Sequence, residues 1–347
     1  MLRFLTAGES HGKAIVAILE GLPAGLKIDL AKINAQLKRR QAGFGRGKRM
    51  QIENDRAQIF SGVKGNITLG SPLTILITNK DAGIERLHKV LCPRPGHADL
   101  SGFLKYGFTD IREVLERASA RSTAATVGVG ALCRILLNEF NIRISSRVLS
   151  IAGESSLKCM QGKIREAIAG KDTVGGVFEV RVSGAPAGLG SYVQPDRRLD
   201  ARLAQAVISI PGIKAMEIGL GFGYAVSPGS EVHDEIFYSK NKGYFRKTNN
   251  AGGIEGGISN GEDIILRACM KPICTVMDPL ASVNVKSKRA SRAATERSDI
   301  CVVEAAGVVA ESGCAFVLAD ALLEKFGSDN IKDIKASFLT YLSRIRR

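Results

Sequence analysis

Residues 8–12 read GESHG, with Lys13 next, so two glycines bracket a carboxylate, a hydroxyl and an imidazole in a chain with only four histidines. A second histidine, His97, stands in PRPGHAD (93–99), where two prolines and a glycine make a stiff loop. Histidines held in this way suit general acid–base chemistry. Each loop also reads as an ordinary turn, the first with Ser10 as a helix cap. Basic residues gather in KRRQAGFGRGKR (38–49), CPRPGH (92–97), ERASAR (116–121) and VKSKRASRAATER (285–297). Arg117 and Arg121 lie four apart, which places them on one face of an expected helix among Ala and Ser. Such a pair needs anions, and these are either Glu113 or the phosphate or carboxylate of a ligand. The glycine-rich run TNNAGGIEGGISNGED (248–263) exposes main-chain N–H groups of the kind that approach an anion closely. Arg297, Ser298 and Asp299 precede the last apolar segment and by pattern alone read as a helix cap.

Several familiar sites are missing. GESHGKA has three residues between its glycines and Ala14 after the lysine, whereas a P-loop needs four and a Ser or Thr. GFGRG and GLGFG lack the third glycine of a dinucleotide fingerprint. His88, Cys92 and His97 are loosely spaced with no fourth ligand nearby, and no metal is expected.

Lys and Arg number 49 against 34 Asp and Glu, a formal net charge of +15 over 347 residues, which favours an anionic partner. Aromatics make up 5% and Trp is absent, which disfavours stacking on nucleic-acid bases. The clusters sit among small residues, so phosphorylated small molecules are expected rather than nucleic acid. The seven cysteines form no C-x-x-C pair and have apolar neighbours, which suggests reduced, packed thiols and a cytoplasmic chain. No uninterrupted apolar run approaches the ~18 residues of a membrane span, and the start lacks a signal peptide's apolar core.

The elements that must position these residues are legible in part. Alternation and β-branching predict strands at 72–78, 175–184, 263–270 and 281–286, with a hairpin turn at Asn260-Gly261. Helices are expected at 110–140, 198–210 and 299–326, the first and last Ala/Gly-rich on several faces and therefore buried. No linker or regular β-α alternation divides the chain. The expectation is one α+β domain over 1–347, with long antiparallel strands around buried helices and a polar tail at 328–347.

Taken together, GESHG (8–12), RRQAGFGRGKRM (39–50), RPGHAD (94–99), ERASAR (116–121), LDARLAQAVISIPGIKAMEIGLGF (199–222), NNAGGIEGGISNG (249–261), MKPICT (270–275) and ERSD (296–299) resemble chorismate synthases over essentially the whole chain. The resemblance implies a β-α-β sandwich, usually assembled as a homotetramer. It also implies 1,4-anti elimination of phosphate from 5-enolpyruvylshikimate 3-phosphate, with reduced FMN and no net redox change. Arg40, Arg46, Arg49, Arg94, Arg121 and Arg297 then hold substrate anions. In members that also reduce the flavin, Arg40 and Arg46 hold NADPH. FMN lies against Arg117, Ala118, Ser119, Asn250, Ala251, Gly256, Lys271, Pro272, Ile273, Cys274, Thr275 and Arg297. His11, beside Ser10, becomes the general acid for the leaving phosphate, with the flanking glycines as room for it. His97 stabilises the reduced flavin, and Asp299 relays a proton. Thr126, Ala118 and Cys274 depart from the usual family residues, and segments near 84–92 and 155–172 are short. That favours an enzyme using externally reduced FMN.

Overall fold

RFLTA, AIVAILE and LTILIT join an antiparallel sheet made of β1 (Arg3–Ala7), β2 (Ala14–Glu20), β3 (Ala57–Ile59) and β4 (Leu73–Thr78), ordered β1-β2-β4-β3. Ile15, Ala17 and Leu19 of β2 and Leu73, Ile75 and Ile77 of β4 face inward and are almost wholly buried. Their two-residue period is that of a sheet covered on one face. A second sheet joins β5 (Arg143–Ile151), β6 (Gly176–Ser183), β7 (Ile213–Ile218) and β8 (Ile264–Met270) in the order β5-β6-β8-β7, again antiparallel throughout. This computed structural model describes residues 1–47, 54–240, 243–296 and 298–345. Arg49 and Arg297, two expected site residues, lie outside the described residues.

The longer helices are α1 (Leu30–Gln41), α2 (Asp99–Tyr106), α3 (Arg112–Ala118), α4 (Thr123–Asn138), α5 (Leu157–Ala169), α6 (Leu199–Ile208), α7 (Val303–Phe326) and α8 (Ile331–Ile345). α4 packs on the first sheet, α7 on the second, and α4 and α7 on each other, so helices fill the space between two sheets. The α+β reading and the β-α-β layering both hold. Each half of the chain contributes four strands to one sheet and a long helix to the layer between, and both sheets share one strand order.

Close approach dictates the small residues of the helical layer. A Cβ on Gly130 of α4 would fall 2.3 Å from Cβ of Ser312 on α7, which only glycine avoids. Segments 112–138 and 303–326 are long and apolar enough to cross a membrane, yet four-fifths of each apolar window is buried within the protein. They are core elements, apolar on every side because every side is covered.

Three expectations change in detail. The helix expected over 110–140 divides at Ser119, whose ψ of 141° is extended. A short 3-10 turn at Ala120–Ser122 follows before α4 begins. Asn260-Gly261 does turn the chain, with Gly261 at φ +96°, but it joins strands of different sheets rather than a hairpin. The polar tail is the amphipathic α8, which buries Ile334 and Phe338, the latter against the rings of Phe140 and Phe326.

Candidate active site

The β1–β2 turn carries GESHG. Gly8 has φ +109°, and a Cβ there would sit 2.2 Å from the Ala14 carbonyl oxygen, so the hairpin backbone itself demands this glycine. That replaces the expectation that the glycine makes room for a phosphate. The buried Asn79, just past β4, donates from Nδ2 to the carbonyls of Glu9 and Gly12 and accepts from Arg121 Nε at 2.8 Å. One side chain thus ties the histidine turn to an arginine.

This turn closes a cavity of about 610 Å³, into which residues from both halves and the first turns of α4 and α7 project. The positive ends of two helix dipoles therefore face the interior. His11 and His97 both line it. His11 Nδ1 lies 2.9 Å from Glu116 Oε1, and its Nε2 lies on the Asp81 side, 3.9 Å from that carboxylate. His97 Nδ1 hydrogen-bonds Asp99, which is fully buried. Burial works against ionisation of Asp99, but hydrogen bonds from His97 and Arg94 together with Arg94's charge hold its carboxyl well below the usual range. Glu116 shows the same balance: burial raises it, and hydrogen bonds from the His11 ring and backbone, with Arg112's charge, bring it below its ordinary value.

The arginines sort into two kinds. Arg94 donates to Asp99 from Nε and Nη2 and to Thr275 Oγ1 from Nη1, and so braces the His97 loop. It also lines the cavity. Arg40 and Arg121 instead share one buried carboxylate, Asp55, and Arg46 lies 3.3 Å from Asp299. Nε of Arg40 and Nε of Arg46 are buried with no hydrogen-bond partner among the described residues. Burial pushes the Arg40 guanidinium down; Asp55 opposes this, and the nearby charges of Arg121 and Arg46 reinforce it. Buried donors left unmade are costly.

The sequence comparisons are decisive at this point. The family model described as Chorismate synthase matches residues 2–323. The chorismate synthase of Thermoanaerobacter pseudethanolicus (strain ATCC 33223 / 39E) is 51% identical over 348 residues, covering 99% of each chain. The chain belongs to the chorismate synthase family. The chorismate synthase of Geobacter sulfurreducens (strain ATCC 51573 / DSM 12127 / PCA) is 48% identical over 394 aligned residues covering 100% of each chain, so that relative has segments with no counterpart here. A structure titled Crystal Structure of Chorismate Synthase superposes with a TM-score of 0.82 at 41% identity, covering 99% of this chain and 98% of its own.

Most residues expected from the chorismate synthase pattern meet in the cavity: Ser10, His11, Arg40, Arg46, Arg94, His97, Ala118, Ser119, Arg121, Asp299 and Lys271 through Thr275. Asp299 does not cap α7, which begins at Val303; it accepts from the Gly47 N–H and pairs with Arg46. Arg117 does not belong. The extended Ser119 separates it from Arg121, and it turns outward to donate to the Thr6 and Gly8 carbonyls, bracing the histidine turn from outside. Asn250, Ala251 and Gly256 also do not line the cavity, because Asp234 accepts from the Asn250 and Ala251 N–H groups and holds their turn elsewhere. Among the cysteines, Cys133, Cys301 and Cys314 are buried as expected, but Cys159 is exposed and Cys274 faces the cavity. Sequence reasoning gave no role to Asp55, Asn79, Asp99, Glu116 or the Ile210–Gly212 segment. The signal lay in the motifs already quoted: Asp99 closes RPGHAD, Glu116 opens ERASAR, and Ile210–Gly212 sits within LDARLAQAVISIPGIKAMEIGLGF.

The cavity fits the family's cofactor. Its volume is within the roughly 300–1,000 Å³ usual for ligand sites. It sets an apolar wall of Ile210, Pro211, Met270 and Val302 in one cavity with the cationic side chains of Arg40, Arg46 and Arg121. An aromatic ring system carrying a phosphate needs that pairing of surfaces.

Proposed function

We propose that this cavity converts 5-enolpyruvylshikimate 3-phosphate to chorismate, releasing phosphate and a ring proton, as a carbon–oxygen lyase of the shikimate pathway. The observation that supports it most is that His11 and three arginines, Arg40, Arg46 and Arg121, line one cavity. Arg40, Arg46 and Arg121 hold the substrate's phosphate and carboxylates. Arg49 and Arg297 join them in this proposal on sequence grounds alone. His11 gives a proton from Nε2 to the departing phosphate, with Ser10 beside it. One such general acid is worth ~10²–10⁴ in rate. Asp299, held by Arg46 and the Gly47 N–H, is the proton relay beside the cofactor. His97, fixed by Asp99, faces the cofactor.

Reduced FMN, when bound, supplies electron density that weakens the carbon–oxygen bond of the leaving phosphate. Ala118, Ser119 and Lys271 through Thr275, which line the cavity, would hold it, with Ile210 and Pro211 as an added apolar wall. The chain lacks segments present in the longer Geobacter relative, and we propose that it receives FMN already reduced. NADPH on Arg40 and Arg46 is the competing arrangement. A homotetramer and a cytoplasmic location complete the proposal. The exposed Tyr192, Phe222, Val226, Tyr238 and Tyr244 give apolar surface for association.

Anaerobic incubation with substrate and dithionite-reduced FMN tests the reading. Chorismate and phosphate should form in equal amounts, and formation of neither overturns it. Omitting dithionite and adding NADPH tests the source of electrons: no product is expected.

A further inference from the structure

We propose that Glu116 is the positioning residue for His11, holding the turn and ring so that Nε2 is the nitrogen that exchanges a proton with the cavity. The proposal rests on the reading of His11 as proton donor, but its geometry stands alone. Glu116 lies in the last turn of α3 and is 4% exposed. Its Oε1 accepts from the His11 ring at Nδ1, 2.9 Å away, and its Oε2 accepts the His11 backbone N–H at 2.7 Å. The Glu116 carbonyl oxygen accepts the Ser10 N–H at 2.9 Å. One residue thus grips the main chain of the turn twice and the imidazole once. Ring rotation and backbone drift are both restrained.

The other histidine–carboxylate pair works differently. Asp99 meets His97 but also takes donors from Arg94, whose charge it neutralises. Among the described residues the Glu116 carboxylate hydrogen-bonds only His11. An acceptor fixed at Nδ1 dictates the tautomer: a neutral ring keeps its proton on Nδ1 and leaves Nε2 bare. A proton that His11 gains or gives up therefore passes through Nε2, which lies toward Asp81 at the cavity. Without Glu116 the Nδ1 side of the ring has no acceptor among the described residues, and the His11 backbone N–H loses its own.

The test uses the full chain with 15N-labelled histidine, in wild type, Glu116→Gln and Glu116→Ala. The His11 resonances are assigned by their loss in His11→Ala, which four histidines in the sequence make practicable. At a pH where the ring is neutral, wild-type His11 should show the Nδ1–H tautomer. Glu116→Ala should show a mixture or the Nε2–H form. Glu116→Gln should lie between the two, because its one amide oxygen can accept from the ring or from the His11 N–H while its NH2 group faces the other. With reduced FMN and substrate, kcat should fall ~10²-fold in Glu116→Ala and about tenfold in Glu116→Gln, losses no larger than the ~10²–10⁴ that one general acid is worth. KM should stay within about twofold, since neither variant removes a phosphate-binding arginine. A wild-type Nε2–H tautomer, or an unchanged kcat in both folded variants, overturns the proposal. An undiminished kcat in His11→Ala overturns the proton-donor reading instead, while the tautomer still decides the positioning.

Discussion

Arg39 and Arg40 are neighbours on α1, and each reaches a buried carboxylate, yet the two clusters do opposite work. Arg39 makes two 2.7 Å bonds to Glu311 on α7, which also accepts from Arg134 and from the Ser146 hydroxyl. The Arg39 side chain is 41% exposed, so donors that Glu311 does not take can reach water. Burial raises the Glu311 carboxyl, but Arg39, Arg134 and Ser146 outweigh it and hold the group below its ordinary value. Arg40 and Arg121 share Asp55 with side chains only 5% and 2% exposed, and Arg40 retains a donor with no partner. A brace is a cluster that closes on itself or on solvent. A site is one whose cations are sealed from water and still short of acceptors.

Removing the brace should have the largest effect. Glu311→Ala leaves Arg134 and Ser146 unpaired between the helices and should cost about 3–5 kcal/mol of folding stability. Urea unfolding measures it, and turnover per folded molecule should be unchanged. If activity falls while stability holds, the two clusters have been assigned the wrong way round. Next in size, Arg40→Met should weaken binding of the phosphorylated substrate by about 1.5–3 kcal/mol, roughly 10- to 100-fold, the worth of a charged hydrogen bond. Asp55 keeps Arg121, so the stability change should be well below that of Glu311→Ala. An equilibrium titration of binding beside the same urea measurement separates the two effects.

The smallest effect is a slope with pH. Glu311 and Asp99 both have folded-state values below their ordinary ones. Their stabilisation is complete above the ordinary carboxylate range near pH 4 and is lost as pH falls below it, because the unfolded chain then binds more protons. Wild-type stability should therefore decline from about pH 5 toward pH 3, and Glu311→Gln should flatten that decline. Equal acid slopes in the two proteins would remove Glu311 from the account.

The contrast also explains what the sequence made legible. Ala- and Gly-rich stretches at 110–140 and 299–326 foretold the buried helices, since a helix covered on all sides must be apolar and small on all sides. β1, β2, β5 and β7 were not foreseen, because their outward faces carry residues such as Leu5, Ile18, Arg147 and Glu217 that blur the alternation. Both histidines were found from loop stiffness and small neighbours. Their carboxylates were not assigned, although Glu116 and Asp99 lie within the quoted motifs, because only the fold brings Glu116 back to His11, 105 residues away. Arg117 was misplaced for a local reason. Spacing of four predicts a shared face only while the helix is continuous, and Ser119 interrupts it. The glycine loop at 248–263 was read as a ligand cradle, but Asp234 and the Asn249 side chain occupy N–H groups offered to a ligand in that reading.

The central claim is that His11 protonates a phosphate held by the sealed arginines. The most direct measurement is phosphate release in an anaerobic single turnover with reduced FMN, comparing wild type with His11→Ala. The account predicts that release slows by ~10²–10⁴, with FMN affinity unchanged. Release at the wild-type rate in the folded variant would contradict it.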